Sequence, residues 1–171
     1  MDGVGDVCAA AATPKVVIQE LLYDGPGADA DDVFTELMGP PGMSLTGWSL
    51  VGINGANGTL YHTVNLDGVV IPSDGILVLA TSTANAGVAP YRDVAVDVDW
   101  QNGPDAVQLW DATGVMVDAL QYGNAGSFNA GEGDYASTTP AGQSLSRDAS
   151  GTDTDDNATD FTVGAPTPGT P

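Results

Sequence analysis

An all-β domain of about eight or nine short strands, stacked as a sandwich or closed as a barrel, is the fold class that this sequence predicts. Three observations carry it. Apolar residues recur with a period of two almost everywhere. The 171 residues include 23 glycines and 11 prolines, which cut the chain into short segments. No longer stretch shows the 3.6-residue period of an amphipathic helix.

The strands follow in order. "VVIQELLY" (16–23) reads as the first, closed by the loop "DGPGADADD". "VFTEL" (33–37) is the second and ends at "MGPPG". "LTGWSLVGI" (45–53) runs into the turn "NGANG", and "TLYHTVNL" (59–66) returns from it. "GILVLAT" (75–81) is too short and too apolar for anything but a central strand, and "TSTANAG" after it has room for one turn of helix. "DAVQLWD" (105–111), the turn "ATG" and "VMVDALQY" (115–122) form a hairpin. "QSLSR" (143–147) and "DFTV" (160–163) supply the last pairings. The connection Asn124–Pro140 is long and glycine-rich, the composition of a mobile loop.

Charge excludes several roles. Twenty-three acids face three bases, Lys15, Arg92 and Arg147, for a formal net charge of −20. Such a surface repels phosphate backbones and anionic lipid, which argues against nucleic acid or membrane partners. All but Glu20, Glu36 and Glu132 of the acids are Asp, a turn residue and a short, hard oxygen ligand. High-salt adaptation and calcium-rich extracellular surroundings both fit this skew. Cys8 is the lone cysteine, so no internal disulfide can form. The acidic start "MDGVGDVC" lacks the basic segment of a secretory signal, so export would require a signal further upstream.

Candidate sites follow from oxygen spacing. In "SGTDTDDNATDF", Asp153, Asp155 and Asn157 have the alternate spacing that lets a tight loop wrap one calcium, with Asp156 or Asp160 to complete the shell. Ala158 stands where a helix-loop-helix calcium site needs glycine, which excludes that motif. The competing reading has Asp153 capping a turn, the other acids in water, and Phe161 re-entering the core. Asp24, Asp29 and Asp31 form a second candidate in the first acidic loop. Calcium there would be structural and weak, of extracellular grade.

Two glutamates sit inside strands. Glu20 is expected to share a face with Val16, Ile18 and Leu22, and Glu36 with Phe34. Burial would oblige each to find a partner such as a backbone N–H, a tyrosine or Arg147. A metal-dependent hydrolase would need these two and the loop acids in one concave pocket. His62, the only histidine, reads as a strand residue, and no nucleophile elbow or phosphate loop occurs. The expectation is therefore a protein that is not an enzyme. In "AVQLWD", Val107 and Leu109 face the core, which turns Gln108 and Trp110 outward as candidate ligand-binding residues for a sugar ring or a protein partner.

The order of segments "VVIQELLYDG", "VFTELMG", "SLTGWSL", "VIPSDGILVLA", "DAVQLWDATGVMVDALQYG", "SLSRDASGTDTDDNATDF" and "PTPG" resembles the lamin tail domain family. That resemblance runs from about Lys15 to Gly169. It implies an immunoglobulin-like β-sandwich over 14–171, with the Trp of the Gly47-Trp48 pair in the core and Arg147 as the family's late arginine. "DGVGDVC" (2–8) resembles the end of a thrombospondin type 3 repeat, so 1–13 reads as the remnant of a calcium-binding repeat plus a linker. Together these imply a non-catalytic accessory module of an exported bacterial protein, extracellular or on the cell surface, serving adhesion, anchoring or spacing. The alternative is a calcium-dependent carbohydrate-binding module built on Trp110 and Gln108.

Overall fold

The computed structural model describes residues 15–27 and 29–171; the expected remnant at 1–13 lies outside them. The described chain runs β1 (Val17–Leu22), α1 (Asp29–Asp32), β2 (Phe34–Met38), β3 (Ser49–Asn54), β4 (Leu60–Asn65), β5 (Ile76–Ala80), β6 (Val94–Ala95), β7 (Asp105–Trp110), β8 (Met116–Tyr122), β9 (Ser144–Ser146), α2 (Asn157–Asp160) and β10 (Thr162–Gly164). One sheet has the order β10-β9-β1-β2-β5-β6, the other β4-β3-β7-β8. Every pairing is antiparallel except β5 with β6. The two layers enclose one apolar core, as the alternation of the strands requires.

Both sheets contribute to that core. Ile18, Leu21, Leu37, Leu77 and Leu79 come from the first, and Leu50, Val64, Val107, Leu109 and Leu120 from the second. Each such side chain contributes about 1.5–3 kcal/mol by leaving water. The expected facing of β7 holds: Val107 and Leu109 are buried, and Gln108 and Trp110 are less so.

Four expectations need correction. β1 is not a plain alternation, because Ile18 pairs with Leu37 and Glu20 with Glu36, which leaves Gln19 as the extra residue of a bulge. The bulge splits the expected face: Ile18 and Leu21 enter the inter-sheet core, whereas Leu22 joins Phe34 and Val78 on the opposite side of the sheet. The core tryptophan is Trp100, fully buried with its Nε1 donating to Thr35 Oγ1 at 2.9 Å; Trp48 is only partly buried against the core. "TSTANAG" forms turns, not helix, and the two single-turn helices lie instead in the two acidic loops.

The glycine-rich connection 124–140 is the fourth. Sheet residues fasten it: Gln108 Nε2 donates to Ala130 O at 2.6 Å and Gln121 Nε2 to Gly133 O at 2.9 Å. Its start crosses Gly55 so closely that a Cβ on Gly126 would lie 2.3 Å from the Gly55 carbonyl oxygen. Glycine is required there by that backbone approach.

Candidate functional site

Arg147 is the centre of a buried polar cluster. β9 delivers it, with its backbone N–H bonded to Gln19 O at 2.9 Å. Its guanidinium is fully buried and engages five neighbours. Nε donates to Ile18 O at 3.1 Å and Nη1 to Thr152 O at 2.8 Å. Nη2 reaches Asp118 Oδ1 at 2.8 Å and Nη1 reaches Asp160 Oδ2 at 3.0 Å. The flat face lies over the Phe161 ring, 4.4 Å from its centroid. Asp153 Oδ1 and Glu132 Oε2 stand further out, at 3.6 and 4.0 Å, and Lys15 pairs with Asp153.

A planar five-donor cation suits this position, because one guanidinium can tie two strands, a loop and a helix at once. Asp118 fills its other oxygen with the Ile18 N–H at 2.5 Å. Burial, followed by the Asp118 charge, raises the Glu132 carboxyl to about 7. Thr154 N and Oγ1 donate to Asp160 at 2.9 and 2.7 Å, and these bonds with Arg147 hold it below the ordinary Asp range although burial opposes them.

The proposed calcium loop is organised differently from its spacing. Asp153 turns inward to the two cations. Asp155 takes a left-handed backbone, φ 58°, and donates its N–H to Asp153 Oδ1. Asp156 is the N-cap of α2, accepting from Ala158 N at 3.0 Å. Asn157 is buried: its Oδ1 accepts from Gln121 N at 2.9 Å and Glu132 N at 3.2 Å, and its Nδ2 donates to Ala119 O at 2.8 Å. The five residues thus do not converge as one ligand set, because four have their oxygens engaged within the protein. Among the described residues, the group of three acids whose oxygens all lie within 4.8 Å of one another is Asp118, Glu132 and Asp153. Arg147 occupies the middle of that group.

In the first acidic loop, Asp29 Oδ1 accepts from Gly25 N at 3.0 Å, the bond that shapes the turn into α1. Asp24 and Asp29 share Asn102 Nδ2 at 3.5 and 3.4 Å, and Asp31 gives its carbonyl to Asn85 N. These are loop-to-loop ties.

Trp110 and Gln108 lie together on the outer face of the four-stranded sheet, in an open groove of about 430 Å³ with Val51, Ile53 and Leu60. Trp110 Nε1 donates to Gln108 Oε1 at 3.1 Å. Asp111 Oδ1, at the rim, already accepts from Thr113 N, Thr113 Oγ1 and Val115 N. The groove is chiefly apolar, with its polar atoms turned to neighbours in the protein.

Glu20 and Glu36 are opposite partners on β1 and β2, both buried. Glu20 accepts from Ser144 Oγ at 2.5 Å and from Thr167 N and Oγ1, each at 2.9 Å. Glu36 Oε2 accepts from Gly169 N at 2.7 Å. Their partners are thus the Ser144 hydroxyl and, from the C-terminal tail, the Thr167 hydroxyl and the N–H groups of Thr167 and Gly169, not Arg147. His62 packs edge-on to Trp100 at 5.2 Å between centroids, far from a catalytic arrangement of nucleophile and base.

The sequence pointed to Arg147 but missed Asp118, whose signal was available: a single acid inside the apolar run "VMVDALQY".

A family model described as Lamin Tail Domain matches residues 9–124. Arg147, α2 and the tail lie beyond the matched segment. No curated protein matches the chain.

Proposed function

The chain belongs to the lamin tail domain family, an immunoglobulin-like β-sandwich, and from that premise we propose that it is a non-catalytic module that anchors or spaces other parts of an exported protein. One observation carries this reading. The buried charged groups, Arg147, Asp118, Glu20 and Glu36, spend their hydrogen bonds holding loops and strands together. A catalytic centre would instead present perturbed groups to an open pocket beside a nucleophile or base.

The acid-rich surface supports an extracellular setting, where repulsion keeps copies apart and soluble. Calcium, in this reading, acts on the net charge of −20 as a diffuse counterion. The engaged oxygens of Asp156, Asn157 and Asp160 support that over a caged ion. The chiefly apolar groove beside Trp110 suits protein contact better than a sugar, whose hydroxyls need free polar partners.

Replacing the module inside its parent protein with an inert domain of equal span separates the roles. Restored function identifies spacing, and lost function identifies anchoring through this surface. Turnover of any substrate by the purified chain would overturn both.

A further inference from the structure

The last residues of the chain pass over the outer face of the six-stranded sheet, the face that carries Leu22, Phe34 and Val78. Two carboxylates hold them there. Glu20 takes both the N–H and the hydroxyl of Thr167, and Glu36 takes the N–H of Gly169. Thr170 N folds back to Thr167 O at 3.0 Å, which closes the turn between the two anchor points. Gly169 has φ +77° and packs so near Tyr91 that a Cβ would meet the ring at 3.0 Å. Pro166 and Pro168 line a cavity of about 210 Å³ with Leu22 and Val88.

The clamp has a built-in conflict. Glu20 and Glu36 face each other across paired strands, so two ionised groups there repel. Glu36 Oε1 is buried with no hydrogen-bond partner. The charges that act on Glu36 are Glu20 from β1, Asp74 from the turn before β5 and Asp93 ahead of β6, all of them acidic. A buried carboxyl in such company keeps its proton unless water reaches it.

We propose that the C-terminal tail is a pH-sensitive strap, closed over a protonated Glu36 and released when Glu36 ionises beside Glu20. Burial raises this carboxyl from 4.5 to about 8 while the strap is closed, with the bond from Gly169 opposing and the acidic neighbours adding to the rise. Opening lets water reach Glu36 and returns it toward the ordinary Glu range. The closed form therefore holds a proton that the open form has lost, so the opening equilibrium rises by up to about tenfold per pH unit across the interval. It levels off above the closed-state value.

Backbone amide exchange on the full chain, corrected for the intrinsic pH dependence, reads this opening at Thr167 and Gly169. The expected result is protection that falls by up to about tenfold per pH unit from mildly acid to mildly alkaline pH, then becomes flat. The amide of Leu79, in the central strand β5, should not follow. Glu36→Gln keeps an acceptor for Gly169 without the charge and should abolish the pH dependence. Flat protection at Gly169 in the native protein overturns the proposal, as does an unchanged slope in Glu36→Gln. Should that variant fail to fold, carbon-13 titration of Glu36 in the native chain decides. Its midpoint must coincide with the change in the Gly169 amide shift, and an ordinary Glu midpoint with Gly169 unmoved would overturn the strap.

Discussion

Arg147 Nη2 lies 2.8 Å from Asp118 Oδ1, and neither side chain has any exposed surface. The pair joins β8 to the residue that follows β9, across the sandwich, and Asp118 in turn holds the β1 backbone at Ile18. An ion pair so completely desolvated gains little over an apolar pair of the same shape, but either half alone is a large liability.

Arg147→Met should therefore cost about 3–5 kcal/mol, since it strands a buried Asp118. Adding Asp118→Leu should recover part of that loss, because the second change removes the orphaned charge. Urea denaturation of the two single variants and the double checks both. A double variant as unstable as the sum of the singles would contradict the pairing.

Asn157→Ala removes the acceptor shared by Gln121 N and Glu132 N. Two backbone donors and the Ala119 carbonyl are then left without that partner, at about 1–3 kcal/mol for each group left buried and unsatisfied. The β8 edge and the loop at 132 should lose amide protection together, while β5 keeps its own. Equal loss throughout the chain would mean that Asn157 supports the global fold and not this junction.

Divalent ions should raise the melting temperature by screening the net charge of −20, not by filling a cage. Calcium and magnesium at equal concentration are then expected to act alike. A calcium-specific rise, lost in Asp153→Asn, would instead identify a bound ion at that loop.

Stability should decline from mildly acid to alkaline pH. Burial raises Glu36 from 4.5 to about 8 and Glu132 from 4.5 to about 7. The native state keeps these protons where the unfolded chain has released them. Their contribution is thus complete below about pH 4.5 and is lost as pH rises through about 7 and 8. On the acid side, Asp160 is held below its ordinary value, so its contribution disappears as pH falls through that range. Urea midpoints at about pH 5, 7 and 9 should fall in that order. Added salt distinguishes this from general self-repulsion, since screening relieves the surface charges more than the buried ones. Midpoints that converge at high salt would assign the whole decline to the surface.

Much of the architecture was legible. The hairpin at 105–122 declares itself through its turn "ATG", and Val107 and Leu109 alternate with Gln108 and Trp110 as the structure places them. β6 was missed because two residues carry no periodic signal. Trp100 was missed as the core tryptophan although "VAVDVDW" alternates up to it, since Val96 to Trp100 reach the core outside any strand.

By itself the sequence determined what is local: strand lengths, turn positions, facing within strands, and an acidic surface. These follow from side-chain period and backbone preference within a few residues. Only the tertiary structure decided which charges meet. Ile18 finds Asp118 at 100 residues' separation, and Thr167 finds Glu20 at 147. A buried carboxylate requires a donor, but no pattern along the chain says which crossing loop supplies it. That choice is made by the packing of the two sheets and the paths left open across their faces.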